Sequence, residues 1–249
     1  MINFFRKIRK KLADDNKPLN YMRYAFGEIL LVVVGILIAL NINNWSENRK
    51  AEKLELKILK ELKGEFTKNQ VELDSAILKH QLIKDISKEL SEIIGQESVI
   101  TDLEKFNKLA SITIFPPKYD PSDGVLNAVI SSGDLSLFEN DELKYSLSSL
   151  SGLIKRYEHW VEVDYNNIIA SGPIIIERYS LRNFPFVATL GGESKFEVNP
   201  HQLSRSMEFE SYVVLRWQNA GTLKSFAVDI YEEQDKIIQL IDAEIQRLE

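Results

Sequence analysis

Residues 27–45 read GEILLVVVGILIALNINNW, and whether lipid or protein surrounds them decides how the rest of the chain is organised. At a rise of 1.5 Å per residue, a helix of this length reaches about 28 Å, close to the roughly 30 Å hydrocarbon layer of a bilayer. Its uninterrupted apolar part, residues 29–40, is shorter than a generous transmembrane helix. A cleavable signal peptide and a buried core helix therefore compete with a membrane span. A signal peptide needs small residues at its cleavage site, whereas this run closes on Leu40, Asn41, Ile42, Asn43, Asn44 and Trp45. Trp45 suits the headgroup layer on one side, as Arg23 and Tyr24 do on the other. The expectation is one uncleaved membrane helix over 24–45.

Ahead of the span stand Arg6, Lys7, Arg9, Lys10, Lys11, Lys17 and Arg23, offset only by Asp14 and Asp15. Beyond it Arg49, Lys50, Lys53, Lys57, Lys60 and Lys63 alternate with Glu47, Glu52, Glu55, Glu61 and Glu65. Topology follows basic residues near the span, and a long domain translocates largely regardless of its charge. The pattern predicts a 1–23 tail in the cytoplasm and a 46–249 domain on the far side. Within the tail, Phe4, Phe5, Ile8 and Leu12 recur at helical spacing, with Arg6, Lys7, Arg9, Lys10 and Lys11 between them. That is the pattern of an interfacial amphipathic helix whose cations meet anionic lipid headgroups. A merely solvated topology signal is the other reading of the same residues.

The 249 residues accommodate one membrane helix and one soluble domain large enough to bury a core. A net charge of -6, with bases interspersed among acids beyond the tail, argues against a nucleic-acid partner. The chain has no cysteine, which removes disulfides, thiolate nucleophiles and thiolate metal ligands without indicating a compartment.

The opening FFRKIRKKLADDNK, the join YAFGEILLVVVGILIALNINNWSENRK and the later ISSGDLSLFENDELK resemble a family of uncharacterised single-pass membrane proteins of Bacteroidota. The features that carry the likeness are the basic start, the pair Gly27–Glu28 opening the span, and its exit through Ile42, Asn43, Asn44 and Trp45. The resemblance covers the first fifty residues well and the middle weakly. It implies a Gram-negative inner membrane, with the 46–249 domain periplasmic, and transfers no catalytic residue.

Between 46 and 95 no proline occurs, and Leu59, Leu62, Phe66, Leu73, Ala76, Ile83, Leu90 and Ile94 recur in alternating steps of three and four. This heptad-like stripe passes through Asn69, His80 and Ser87, while Leu78, Leu82, Ile86 and Ile93 widen the apolar face. A bundle suits it better than an isolated two-stranded coil. A shorter helix is predicted over 101–111, with Thr101 as cap and Glu104 completing a capping box. Another runs over 123–132 and stops at Gly133. A long helix begins within 139–143 and carries Leu143, Leu147, Leu150, Ile154, Tyr157, Val161, Tyr165 and Ile168 on one stripe. Pro173 kinks or ends it. Residues 184–198, with Pro185, Gly191 and Gly192, leave room for a small β-hairpin or an ordered loop. From Glu208 the helical pattern returns to the end of the sequence. The fold expected is mainly α: an N-terminal transmembrane helix followed by an elongated bundle of three long antiparallel elements.

Glu28 is the sharpest candidate for chemistry, because an ionisable group near lipid is costly and marks an ion or proton pathway by default. Its place at the edge of the span favours a headgroup-level or paired role instead, within reach of Arg23. At 100° per residue, Gly35 falls about 20° behind Glu28 and Ala39 about 20° ahead. Gly35 and Ala39 are the kind of small pair that lets two membrane helices approach closely, so self-association is expected. Elsewhere, Glu158, His159, Glu162 and Asp164 invite a metal reading. The Glu-x-x-His spacing of bundle di-iron sites is absent, however, and a solvated helix face is the expectation. His80 falls on the heptad seam and reads as a satisfied core or boundary histidine. The phosphate-binding, dinucleotide and nucleophile-elbow motifs are missing. Tyr157, Trp160, Tyr165, Tyr212 and Trp217 recur on helical faces, where ring packing is the ordinary reason for them and an aromatic ligand pocket the alternative.

The reading is a single-span protein whose helical domain serves as an interaction, scaffold or sensory module without catalysis or cofactor. Its expected partners are membrane lipids, copies of itself and other envelope proteins. The alternative is an oligomeric channel or proton-coupled device in which Glu28 titrates.

Overall fold

A computed structural model of the chain describes residues 18–190 and 194–249. Among the described residues there are six α-helices: α1 (Pro18–Ile93), α2 (Leu103–Ile112), α3 (Gly124–Ser132), α4 (Asp141–Arg178), α5 (Pro200–Ser204) and α6 (Met207–Leu248). Short 3₁₀ turns occupy Asp134–Leu137, Leu181–Asn183 and Pro185–Leu190, and no β-strand occurs among the described residues. The chain divides into two compact units, Met1–Glu55 and Leu56–Glu249, with α1 contributing to both.

In the first unit α1 begins at Pro18, where a fixed φ and a missing N–H are tolerated. Every residue from Ile29 to Trp45 is exposed. Among the described residues one helix is long and apolar enough to cross a membrane, and it is this one.

The second unit is a helical bundle with two apolar clusters. The first joins Leu59, Leu62, Phe66 and Leu73 of α1 to Leu143, Leu147 and Leu150 of α4 and Leu223, Ile230, Ile237 and Ile241 of α6. The second joins Ile86 and Leu90 to Phe106 and Leu109 of α2, Ile168 and Ile175 of α4, and Phe209 and Val213 of α6. Read along the chain, α1 and α4 both pass from the first cluster to the second and α6 returns. The expected set of three antiparallel elements is therefore corrected: α4 runs in the same sense as α1, because α2 and α3 carry the chain back between them. Ion pairs agree with the antiparallel course of α6, with Lys63 Nζ at 2.5 Å from Asp242 and Lys236 Nζ at 2.8 Å from Glu142. Such exposed pairs add little stability and serve here to mark register.

The heptad stripe of α1 is buried as predicted from Leu59 to Leu90, with Asn69, His80 and Ser87 buried inside it. Leu78 and Leu82 depart from the expectation, since both face outward. On α4 the buried row steps from Tyr157 to Asp164 and Ile168, leaving Tyr165 exposed. The row advances by seven and then four residues there, and this keeps it on one side of a helix.

Helix ends follow local chemistry. Gly133 closes α3 in the left-handed region at φ 80°, where glycine has no Cβ penalty. Asn140 caps α4 by accepting from Leu143 N at 3.0 Å, and Ser206 caps α6 by accepting from Phe209 N at 3.2 Å. The cap of α2 is Asp102, accepting from Lys105 N at 2.9 Å, and not Thr101. Glu104 then falls one place too early for a capping box. Pro173 does not end α4, which continues to Arg178.

The hairpin expected over 184–198 is contradicted. Asn183 N donates to Ser180 O and Phe184 N to Leu181 O, each at 3.1 Å, which closes local turns in place of a ladder. Phe184 is buried among Tyr179 and Phe186, with ring centroids 5.7 and 5.8 Å away. Pro185 brings no N–H to a sheet, so ring packing decides the segment. Gly191 and Gly192 lie outside the described residues.

Candidate functional site

Where the two apolar clusters meet, each long helix presents polar side chains to the interior. Asp164 of α4 is buried against Arg216 and Asn219 of α6, all three nearly inaccessible to solvent. The Arg216 guanidinium donates to Asp164 Oδ2, and Asn219 Nδ2 donates to Asp164 Oδ1 at 3.1 Å. Both carboxylate oxygens are thus occupied, which a buried charge requires. Arg216 also donates to the Phe115 carbonyl at 3.4 Å.

Beside this pair, His80 of α1 lies 2.8 Å from the Tyr157 hydroxyl of α4. That hydroxyl accepts from Tyr119 N at 3.1 Å. The hydroxyl and His80 Nε2 share one proton along this contact, with the imidazole tautomer deciding which of them donates. Gln234 of α6 donates to the Tyr119 hydroxyl at 2.9 Å. Burial drives the His80 pKa down from 6.5 to about 4, with Asp164 opposing the shift and Arg216 adding to it. The imidazole is neutral at ordinary pH. Burial also raises the Tyr119 phenol to about 12 and that of Tyr157 higher still, so both remain donors.

These side chains share one target, the connection between α2 and α3. Tyr212 donates to Thr113 O at 2.7 Å, and Asn69 clasps Ser122 by donating to its carbonyl at 2.7 Å and accepting from its N–H at 2.9 Å. Glu65 of α1 accepts from Val125 N at 2.8 Å and Leu126 N at 3.0 Å. Asp123, at the cap position of α3, makes no side-chain cap bond. A carboxylate from a distant helix therefore satisfies the first turn of α3 and complements its dipole. The proline-rich sequence FPPKYDPSDG is held from three helices.

Above the loop lies an open groove of about 420 Å³, lined by Pro116, Lys118, Tyr119, Asp120, Val161 and Tyr165, with Glu158 and Glu162 at its edge. Lys118 pairs with Asp120 at 2.9 Å. No group of three or more His, Asp or Glu able to hold a metal occurs among the described residues. The groove offers carboxylates, one ammonium and an aromatic floor, a surface suited to noncovalent contact.

A family described as a family of unknown function (DUF6090) matches residues 28–170, more than half of the chain. The chain belongs to that family. The DUF6090 match starts at Glu28 and takes in Gly35, Ala39, Trp45, His80, Tyr119, Tyr157 and Asp164, while Arg216, Asn219 and Gln234 lie past its end. Neither curated proteins nor solved structures gave a match.

Within this DUF6090 chain, the helix of the first unit carries Glu28, Gly35 and Ala39 on one face, as their spacing requires. Glu28 is half-buried, Gly35 and Ala39 are exposed, and a Cβ at Gly35 would meet nothing within 4 Å. Trp45 is exposed, with the Arg49 guanidinium 5.0 Å from its ring centroid. Arg6, Lys7, Arg9, Lys10 and Lys11 lie outside the described residues, as do the side chains of Arg23 and Tyr24. Glu158, His159 and Glu162 are exposed, as a solvated face demands. Asp164, expected on the same solvated face, turns inward instead because Arg216 and Asn219 meet it. The signal was available, since Arg216 and Asn219 fall between the apolar positions Val213, Ala220 and Leu223.

Proposed function

We propose that this chain is a single-span protein of a bacterial inner membrane, with residues 1–23 cytoplasmic and the bundle in the periplasm. There the bundle acts as an interaction, scaffold or sensory module without catalytic chemistry. The observation that carries the reading is the unbroken apolar surface from Ile29 to Leu40, exposed on every side of α1. Water would penalise about 25 cal/mol for each square ångström of such surface, whereas hydrocarbon does not. Trp45 with Arg49 supports an interfacial exit, since an indole and a guanidinium both suit the headgroup layer. The bundle supports a contact role because its polar groups hold a loop and a groove in place. Lipids, copies of the chain and other envelope proteins are the partners that chemistry suits.

The test has two parts. Tyr145→Cys, an exposed position on α4 of a cysteine-free chain, is expected to react with a membrane-impermeant maleimide in spheroplasts. Labelling only after lysis contradicts the orientation. Native mass spectrometry in mild detergent is expected to find more than one copy, or a bound protein, and a bare monomer contradicts the interaction role.

A further inference from the structure

Leu78 and Leu82 stand 71% and 50% exposed on α1, and Val71 is 69% exposed. Val71, Ser75, Leu78 and Leu82 advance by four, three and four residues, which sets them within about 60° of one another on the helix. They form a second stripe, turned away from the buried one, and with Asp74 and Lys79 they line a shallow groove. Scattered exposed apolar residues are ordinary, but a row at seam spacing is the pattern of a helix that meets another helix.

We infer that this stripe is the contact between two copies of the chain, packed in parallel as a short coiled-coil seam. The inference rests on the self-association in the proposed function and names where it occurs in the bundle. Charge complementarity identifies the occupant. Asp74 and Lys79 flank the stripe on opposite edges, both exposed, and neither has an ion-pair partner among the described residues. In a parallel pair, Asp74 of each copy faces Lys79 of the other, and the symmetry makes the contact twice. The reverse direction would set Glu72 against Lys79 and Lys68 against Asp85, so the face suits itself in either sense. The charge variants below separate the two senses, since Asp74 faces Lys79 only in the parallel one. Lys68 and Asp85 occupy the next seam positions and end the stripe. So short a seam holds weakly in free solution, and confinement of the copies to one membrane raises their effective concentration.

The full-length chain has no cysteine, so disulfide trapping in native membranes reads the contact directly. Leu78→Cys is expected to give a crosslinked dimer on mild oxidation, while Tyr145→Cys gives none. Adding Asp74→Lys to Leu78→Cys is expected to lower the yield about tenfold, by replacing two attractions with two repulsions. Co-expressing that chain with one carrying Lys79→Asp and Leu78→Cys is expected to restore a mixed dimer. No crosslink at Leu78, equal crosslinking at Tyr145, or indifference to Asp74→Lys overturns the inference. A chain oligomeric by native mass but silent at Leu78 overturns this contact alone. A chain that is monomeric and silent overturns the self-association as well.

Discussion

Asp164 and Arg216 show how a single pair can dominate the interior of a bundle. Each charge is buried with its partner, and removing one leaves the other uncompensated where water cannot reach it. Arg216→Met is expected to destabilise the chain by about 3–5 kcal/mol in urea melts. Combining it with Asp164→Leu is expected to recover most of that loss, since two well-packed apolar residues remove both desolvation penalties. If the double variant is no more stable than the single, the pair is not the source of the effect. His80 adds a pH dependence. Its folded pKa, about 4, lies below the unfolded 6.5, so the unfolded chain takes up the proton first as pH falls. The stability that neutral His80 contributes is therefore complete above pH 6.5 and declines down to pH 4, by about 3 kcal/mol in all. Replacing His80 by Leu together with Tyr157 by Phe is expected to flatten that limb of the urea midpoint against pH. The seam position of His80 marks it as a core or boundary histidine, and the fold buries it fully. The α4 sequence did not reveal Asp164, because a stripe drawn through Val161 and Tyr165 follows hydrophobicity, and the sign of the pair lies on α6, where Arg216 and Asn219 fall among apolar positions.

Among the elements, α3 depends most on distant residues. Its first N–H groups bond to Glu65, so Glu65→Ala is expected to cost about 1–2 kcal/mol. It is also expected to raise hydrogen exchange at Val125 and Leu126, and protection unchanged at those amides contradicts the cap. The span is tested differently. Cysteine at Gly35 is expected to crosslink between copies and cysteine at Leu37 is not, because only the first shares a face with Ala39. Equal or absent crosslinking removes the helix contact. Local signals of this kind were legible where the chain supplies its own partner, as Gly133 does for the end of α3. They failed where the partner comes from elsewhere: Glu65 stands in for a cap, and Phe184 pulls 181–190 into turns where the sequence leaves room for a hairpin.

For the whole molecule, helical periodicity was enough to recover the bundle, since the buried rows of α1 and α6 repeat every three or four residues. The direction of α4 was not legible, because periodicity identifies a face and carries no information about which helix it meets. The outward stripe on α1 was hidden for the same reason, as Leu78 and Leu82 look alike whether they face a core or a second copy. Hydrocarbon surrounding residues 29–40 would hold the whole molecule at the membrane, which extraction tests. Lysed cells are ultracentrifuged, the pellet is washed with alkaline carbonate, and the retained chain is weighed by intact mass. The expected result is the full-length chain, uncut, in the washed pellet. A chain released to the supernatant, or one shortened by cleavage within or just after 24–45, contradicts it.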